Sequence, residues 1–259
     1  MNRLLARRTT RVAIGLVAPA LLLAWWQWFA TSGGASAVAL APLGSVGGAF
    51  FELVDNGTLF GDVTSTLWRA FSGFVIGAGL GVATGTAMAV WPLLNRLIGP
   101  LLHALRQVPM IGWLPLIGLW FGTGEGSELI VVCLGAFFPA MLNTHAGIAN
   151  VEQRYIEVGE IFRFSTVQRF QRILLPAAAP MIITGLTQSL AFAWIATIAS
   201  EILMGAGGGL GVTLQLAQIQ QRLDIILVVV AITAALGFAI NQIIARLRRE
   251  VLRWQPVQF

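Results

Sequence analysis

Apolar residues run through this chain in long blocks, separated by short polar connections, and the blocks have the length that a bilayer demands. The pattern predicts six membrane-spanning helices, at about 12–30, 67–91, 105–122, 128–145, 177–204 and 225–245. Residues 31–62 carry Glu52, Asp55 and Asp62 but no base, and read as an external loop with a peripheral helix around Val46 to Val54. Asn56-Gly57-Thr58 matches a glycosylation sequon but reads as a turn. Pro92 to His103 reads as a short loop, Gly122 to Gly126 as a turn, and Val212 to Arg222 as a short polar helix. The first block ends in Trp25, Trp26 and Trp28 and is longer than a signal-peptide core. It therefore reads as a retained helix, although Ala35-Ser36-Ala37 resembles a cleavage site.

Three features break the monotony of the blocks. Gly73, Gly77, Gly81 and Gly85 fall at every fourth position, a stripe that lets a second helix come close. It suits packing inside one subunit, or dimerisation. Pro109 and Pro115 each remove a backbone hydrogen bond, so the third span should be kinked or broken at membrane depth, and Pro139 should interrupt the fourth. The third feature is the polar stretch 147–176, the longest charged interruption. Tyr155, Val158 and Phe162, then Val167, Phe170 and Leu174, both follow i, i+3, i+7 spacing and predict two short amphipathic helices. Ser165 and Gln168 have the spacing of a capping box that would open the second.

Charge fixes an orientation. All 16 basic residues are Arg, and they concentrate at the termini, at 96 and 106, and in the 147–176 stretch. Only Arg69 and Arg222 fall on or near the other side. The positive-inside rule then places both termini and the amphipathic stretch in the cytoplasm. Residues 1–11 form a cytoplasmic N-terminus, 12–254 one transmembrane domain and 255–259 a cytoplasmic tail. A chain that is 57% hydrophobic and only 10% charged is a polytopic membrane protein of all-α class, embedded in lipid. The net charge of +5 does not signify nucleic acid, because the cations lie between apolar blocks rather than on one face.

Candidate chemistry is sparse. With no Lys there is no P-loop, so ATP hydrolysis would have to come from elsewhere. Cys133 sits alone in an apolar run, and His145 has no carboxylate near it in sequence; neither predicts a metal site. Gly205 to Gly211 follows a membrane helix and lacks the spacing of a phosphate cradle, so it reads as a flexible turn. Glu201, near the outer end of the fifth span, would close a gate, pair with an Arg or be solvated.

Glu157-Val158-Gly159, with Leu175-Pro176 placed so that the Pro lies 19 residues after the Glu, resembles the EAA motif of ABC importer permeases. The run from Ala104 through Pro109, Trp113 and Pro115 to Glu125 is similar to the nitrate/sulfonate/taurine branch of that family. So are Phe137-Phe138-Pro139 with Asn143-Thr144, and Ala199-Ser200-Glu201-Ile202. Arg253-Trp254-Gln255-Pro256 resembles the aliphatic sulfonate branch. The resemblance implies a type I importer permease fold and a bacterial inner-membrane location. It implies a second permease copy, two separate ATPase subunits that bind ATP and Mg, and a periplasmic or lipoprotein substrate-binding protein. It assigns ATPase coupling to Glu157, Val158, Gly159, Arg163, Phe164, Ser165, Leu175 and Pro176, with no catalysis and no cofactor in this chain. Arg163 departs from the family's usual Gly. Either it tolerates a left-handed conformation or the turn is built differently.

The implied cargo is a small oxyanion such as an aliphatic sulfonate, taurine or nitrate. Gln107, Pro109, Trp113, Trp194 and Glu201 are the translocation-path candidates, since they put polar or amphipathic groups in kinked or late-span segments. The competing reading is a secondary carrier driven by an ion gradient. Such carriers show mid-span acids or inverted repeats, and the sequence displays neither.

Overall fold

The computed structural model describes residues 17–18, 21–32, 41–205 and 207–251. The segments 1–11 and 255–259, part of the first span, Ala35-Ser36-Ala37 and Arg253 to Pro256 lie outside the described residues. Every regular element among the described residues is helical.

Residues 21–31 form α1, followed by α2 (Leu43–Asp55), which takes the place of the expected peripheral helix. Trp26 Nε1 donates to Ala41 O at 3.0 Å and Leu43 N to Gln27 Oε1 at 2.9 Å, which fastens α1 to the start of α2. Gly57 turns the chain with a φ of 68° into α3 (Thr58–Val90), whose 33 residues extend well before the predicted span.

The segment read as a loop from Pro92 is a helix, α4 (Pro92–Leu105). Pro92 starts it at a position where no N–H is needed. Its Leu93, Leu97 and Leu101 form an exposed i, i+4, i+8 stripe, the mark of a helix lying along an interface. The third span is broken rather than kinked. Residues 106–109 form a turn and α5 (Met110–Phe121) begins after Pro109. Twelve residues rise only about 18 Å, well short of the hydrocarbon thickness.

The fourth span corrects the expectation at Pro139, because α6 (Glu125–Ala149) runs through it unbroken. Ser189 Oγ donates to Ala136 O at 2.7 Å, within the turn that precedes the proline. After α7 (Gln153–Ile161), the second amphipathic segment is not a separate helix. It begins as α8 (Thr166–Arg169), passes through a π turn (Phe170–Leu174) and continues as α9 (Leu175–Met204). Thr166–Met204 is thus one rod of 39 residues. α10 (Leu210–Ile219) and α11 (Leu223–Val251) complete the chain. Among the described residues four helices are long and apolar enough to cross a membrane: α3, α6, the α8–α9 rod and α11.

The centre is a slab of α3, α6 and α9 with α5 against it, built from Ala78, Leu114, Ile117, Val131, Val132, Ala136, Ala140, Ala193 and Ala196. A second cluster joins α2, α10 and α11 through Ala49, Leu53, Leu210, Ala217, Ile225, Val228 and Val229. The glycine stripe explains why the slab is so dense. A Cβ at Gly77, Gly81 or Gly85 would lie closer than 3.0 Å to the carbonyl oxygens of Cys133, Phe137 and Met141, and one at Gly73 would strike Val132. Here α3 and α6 touch backbone to backbone. In lipid, where apolar burial drives little helix association, such contact supplies the dispersion that holds helices together.

Gly77→Ala should therefore cost about 1–3 kcal/mol or prevent folding, by overpacking against immovable backbone. Gly79, where an added Cβ would meet nothing within 4 Å, should accept Ala without penalty. The thermal midpoints of the two variants in detergent provide the comparison, and equal midpoints would refute the contact.

Candidate functional site

Three places carry chemistry. The first extends the glycine stripe towards the N-terminal end of α3, where Arg69 is buried with two carboxylates. Its Nε lies 2.6 Å from Glu128 Oε2 of α6, and its Nη1 is paired with Glu201 Oε1 of α9. The same anchor holds the connection into α10. Gly211 N donates to Glu201 Oε2 at 2.8 Å, Leu210 N to Thr66 Oγ1 at 2.9 Å and Gly209 N to Asp62 Oδ1 at 3.0 Å. Thr213 donates its hydroxyl to Asp62. Thr66 also donates to Glu201, at 3.1 Å. Charges this deep are tolerated only when paired and hydrogen-bonded, and here Asp62, Glu128 and Glu201 are all engaged.

The second place is the foot of the α8–α9 rod. Ser165 and Gln168 form the capping box: Gln168 N donates to Ser165 Oγ at 3.3 Å and Ser165 N to Gln168 Oε1 at 2.9 Å. Between α7 and α8 the chain closes as a Schellman turn. Phe164 N donates to Gly159 O and Arg163 N to Glu160 O, both at 2.9 Å. Arg163 occupies the left-handed position of that turn with a φ of 52°, so it accepts a conformation that glycine adopts freely. Gly159 is buried, and a Cβ there would lie 2.6 Å from Ile173 Cδ1, so α7 is keyed into the π turn. Arg172 stacks over Phe164 at 5.5 Å, and Arg169 approaches Glu160 at 3.6 Å. What remains uncovered is Glu157 with Ile161 (78% exposed), Phe162 (68%) and Val167 (63%). Leu175 and Pro176 are also exposed, at the start of α9.

The third place is a groove of about 410 Å³ beside the broken third span, bounded by α5, α6 and α9. Arg106, Pro109 and Trp113 line one side, and Phe138, Asn143, Gln188 and Phe192 the others. Asn143 Nδ2 donates to Pro139 O at 2.8 Å and to Gln188 Oε1 at 3.0 Å. Among the described residues no three His, Cys, Asp or Glu side chains gather to hold a metal ion.

The family model for the "binding-protein-dependent transport system inner membrane component" matches residues 76–253. The chain belongs to that family. It is a multi-pass inner-membrane permease of the ABC transporter class, in which ATP hydrolysis lies with other subunits. The permease is 34% identical over 241 residues to the putative aliphatic sulfonates transport permease protein SsuC of Bacillus subtilis, covering 93% of this chain and 87% of that one. It is 30% identical over 200 residues to the bicarbonate transport system permease protein CmpB of Synechococcus elongatus, covering 77% and 72%. Among solved structures, an amino acid ABC transporter crystallised with histidines superposes with a TM-score of 0.60 at 18% identity, covering 80% and 98%. That likeness concerns the fold.

Of the five path candidates, the structure of the permease brings Pro109 and Trp113 into the groove. Gln107 is exposed on the preceding turn and is not part of the lining. Trp194 lies on another face of α9, in an apolar cleft against α3 and α11. Glu201 is locked to Arg69. Sequence reasoning passed over Arg69, Glu128, Arg106, Asn143 and Gln188. Glu128 looked like an acid at a span end, yet it is fully buried. A signal was available: Asp62, Thr66 and Arg69 continue the spacing of Gly73 to Gly85, so they had to face the same neighbour.

Arg69→Met should cost the permease about 3–5 kcal/mol, since it strands two buried carboxylates. Adding Glu128→Gln and Glu201→Gln should recover part of the lost thermal midpoint; no recovery would count against the shared cluster. Arg163→Gly should stabilise the turn by about 0.5–1 kcal/mol. Slower hydrogen exchange at the amides of 163 and 164 is the readout.

Proposed function

We propose that this permease is the membrane-spanning subunit of an importer for a small oxyanion, an aliphatic sulfonate, taurine or nitrate among the candidates, powered by separate ATPase subunits that dock on residues 153–176. One observation carries the reading. The exposed apolar residues Ile161, Phe162 and Val167 flank the turn between α7 and α8; α7 is keyed through Gly159 into the π turn, and that turn is continuous with a membrane-spanning rod. A partner pressing on the patch moves α9 directly. Glu157, Val158, Gly159, Arg163, Phe164, Ser165, Leu175 and Pro176 are then the coupling residues. Glu157 would meet a cation on the ATPase, and the aromatic residues would fill an apolar pocket.

In this reading six spans leave both termini in the cytoplasm, two permease copies form the path, and an extracytoplasmic binding protein delivers cargo. ATP and Mg belong to the ATPase. The names of the relatives support an oxyanion cargo, since they mention aliphatic sulfonates and bicarbonate. The buried acids do not favour an ion-driven carrier. Glu128 and Glu201 share one guanidinium, and Glu201 accepts two further hydrogen bonds, so both are committed to holding helices together.

Glu157→Arg should reduce ATPase retention during affinity purification by about tenfold or more, as expected when one partner of an interfacial charge pair is reversed. Cargo uptake should fall with it. Undiminished uptake in that variant would sink the coupling assignment.

A further inference from the structure

The groove beside the broken span has a chemistry that singles out one class of cargo. Its lining holds one guanidinium and two amides and contains no carboxylate. Arg106 has no acidic partner among the described residues, so its guanidinium is available to an anion in the groove. The amides point the same way. Pro139 O can only accept, so the group that Asn143 turns towards it must be the NH2. That NH2 also meets Gln188, which must therefore present its oxygen and is left with its own NH2 to offer. Gln188 is held as a donor. The remaining walls are apolar, and Trp113, Phe138 and Phe192 give them flat aromatic surface.

We infer that this groove is a holding station on the translocation path for an organic oxyanion, an anionic head on Arg106 and Gln188 with an apolar tail against Trp113, Phe138 and Phe192. Asn143 is a positioning residue that fixes the amide of Gln188. A bare inorganic anion gains nothing from the aromatic walls, and an alkylammonium finds no acid. This deepens the importer reading and rests on it.

The test uses the full-length permease in phosphatidylcholine nanodiscs, with butane-1-sulfonate as probe and saturation-transfer NMR as readout, against empty nanodiscs. Transfer to the probe's methyl and methylene protons is expected from the wild type. Arg106→Gln and Gln188→Leu should each weaken binding about tenfold, the loss expected for a charge-assisted or directed hydrogen bond. Both residues are exposed, so the variants should fold, and unchanged thermal midpoints check that. On the wild type, equimolar nitrate or butylammonium should leave the signal in place. Equal displacement by nitrate, or undiminished binding in Arg106→Gln, overturns the station without recourse to any variant that fails to fold. Loss of the signal in phosphatidylglycerol nanodiscs would assign Arg106 to lipid phosphate and also overturn it. Retention of the ATPase subunits is measured separately: a permease that keeps them but does not bind butane-1-sulfonate loses the station and keeps the transport role.

Discussion

One face of α3 organises this protein. Asp62, Thr66, Arg69, Gly73, Gly77, Gly81 and Gly85 all lie on it, and all are buried. The inner part of the face carries no side chains beyond a hydrogen, so α6 approaches to backbone contact. The outer part carries charge and hydroxyl, so α6, α9 and the entry to α10 are bonded to it. The two parts solve the same problem differently. Lipid competes poorly for tight backbone contact, and it competes hardly at all for a buried ion pair.

The consequence is a tightly joined slab with more exposed helices attached to it. α3, α6 and α9 cannot slide past one another without opening the stripe or exposing Arg69. By contrast α5 is short and much of its surface faces outward: Ile111, Leu116, Leu119, Trp120 and Phe121 are all exposed. The α8–α9 rod spans both regimes. Its foot carries the keyed π turn and α7, and its head carries Glu201. A push at the foot therefore reaches the Arg69 cluster along one continuous helix, while the groove at Gln188 and Phe192 lies on the same rod between them. The π turn lies at the junction between the amphipathic segment and the span, and single π turns inside α-helices are frequent at functional sites.

How much of this was legible from sequence depended on the range of the interaction. Local signals were plain: the apolar blocks located α6 and α11, short helices were expected near α2 and α10, and Ser165 with Gln168 marked the start of α8. The mismatch of Arg163 with a position that suits glycine was visible too, and its φ of 52° shows which of the two alternatives the chain adopts. Pairings across the chain were not visible. Arg69 and Glu201 are 132 positions apart, and Asn143 and Gln188 are 45 apart, so no periodicity connects them. Proline gave one correct signal and one false one. Pro139 looked like a break but lies inside an unbroken α6, whereas the break in the third span falls at Pro109, the residue before α5.

That last contrast shows why the groove exists where it does. Unlike α3, the third span does not run along α6 as one helix. Pro109 instead forces a turn at 106–109, which places Arg106 at the groove's edge and starts α5 beyond it. On the opposite wall, α6 keeps its path through Pro139, and the carbonyl of that proline is what orients Asn143 and through it Gln188. The two prolines thus act on one site from two helices, one by breaking its helix and one by leaving it whole.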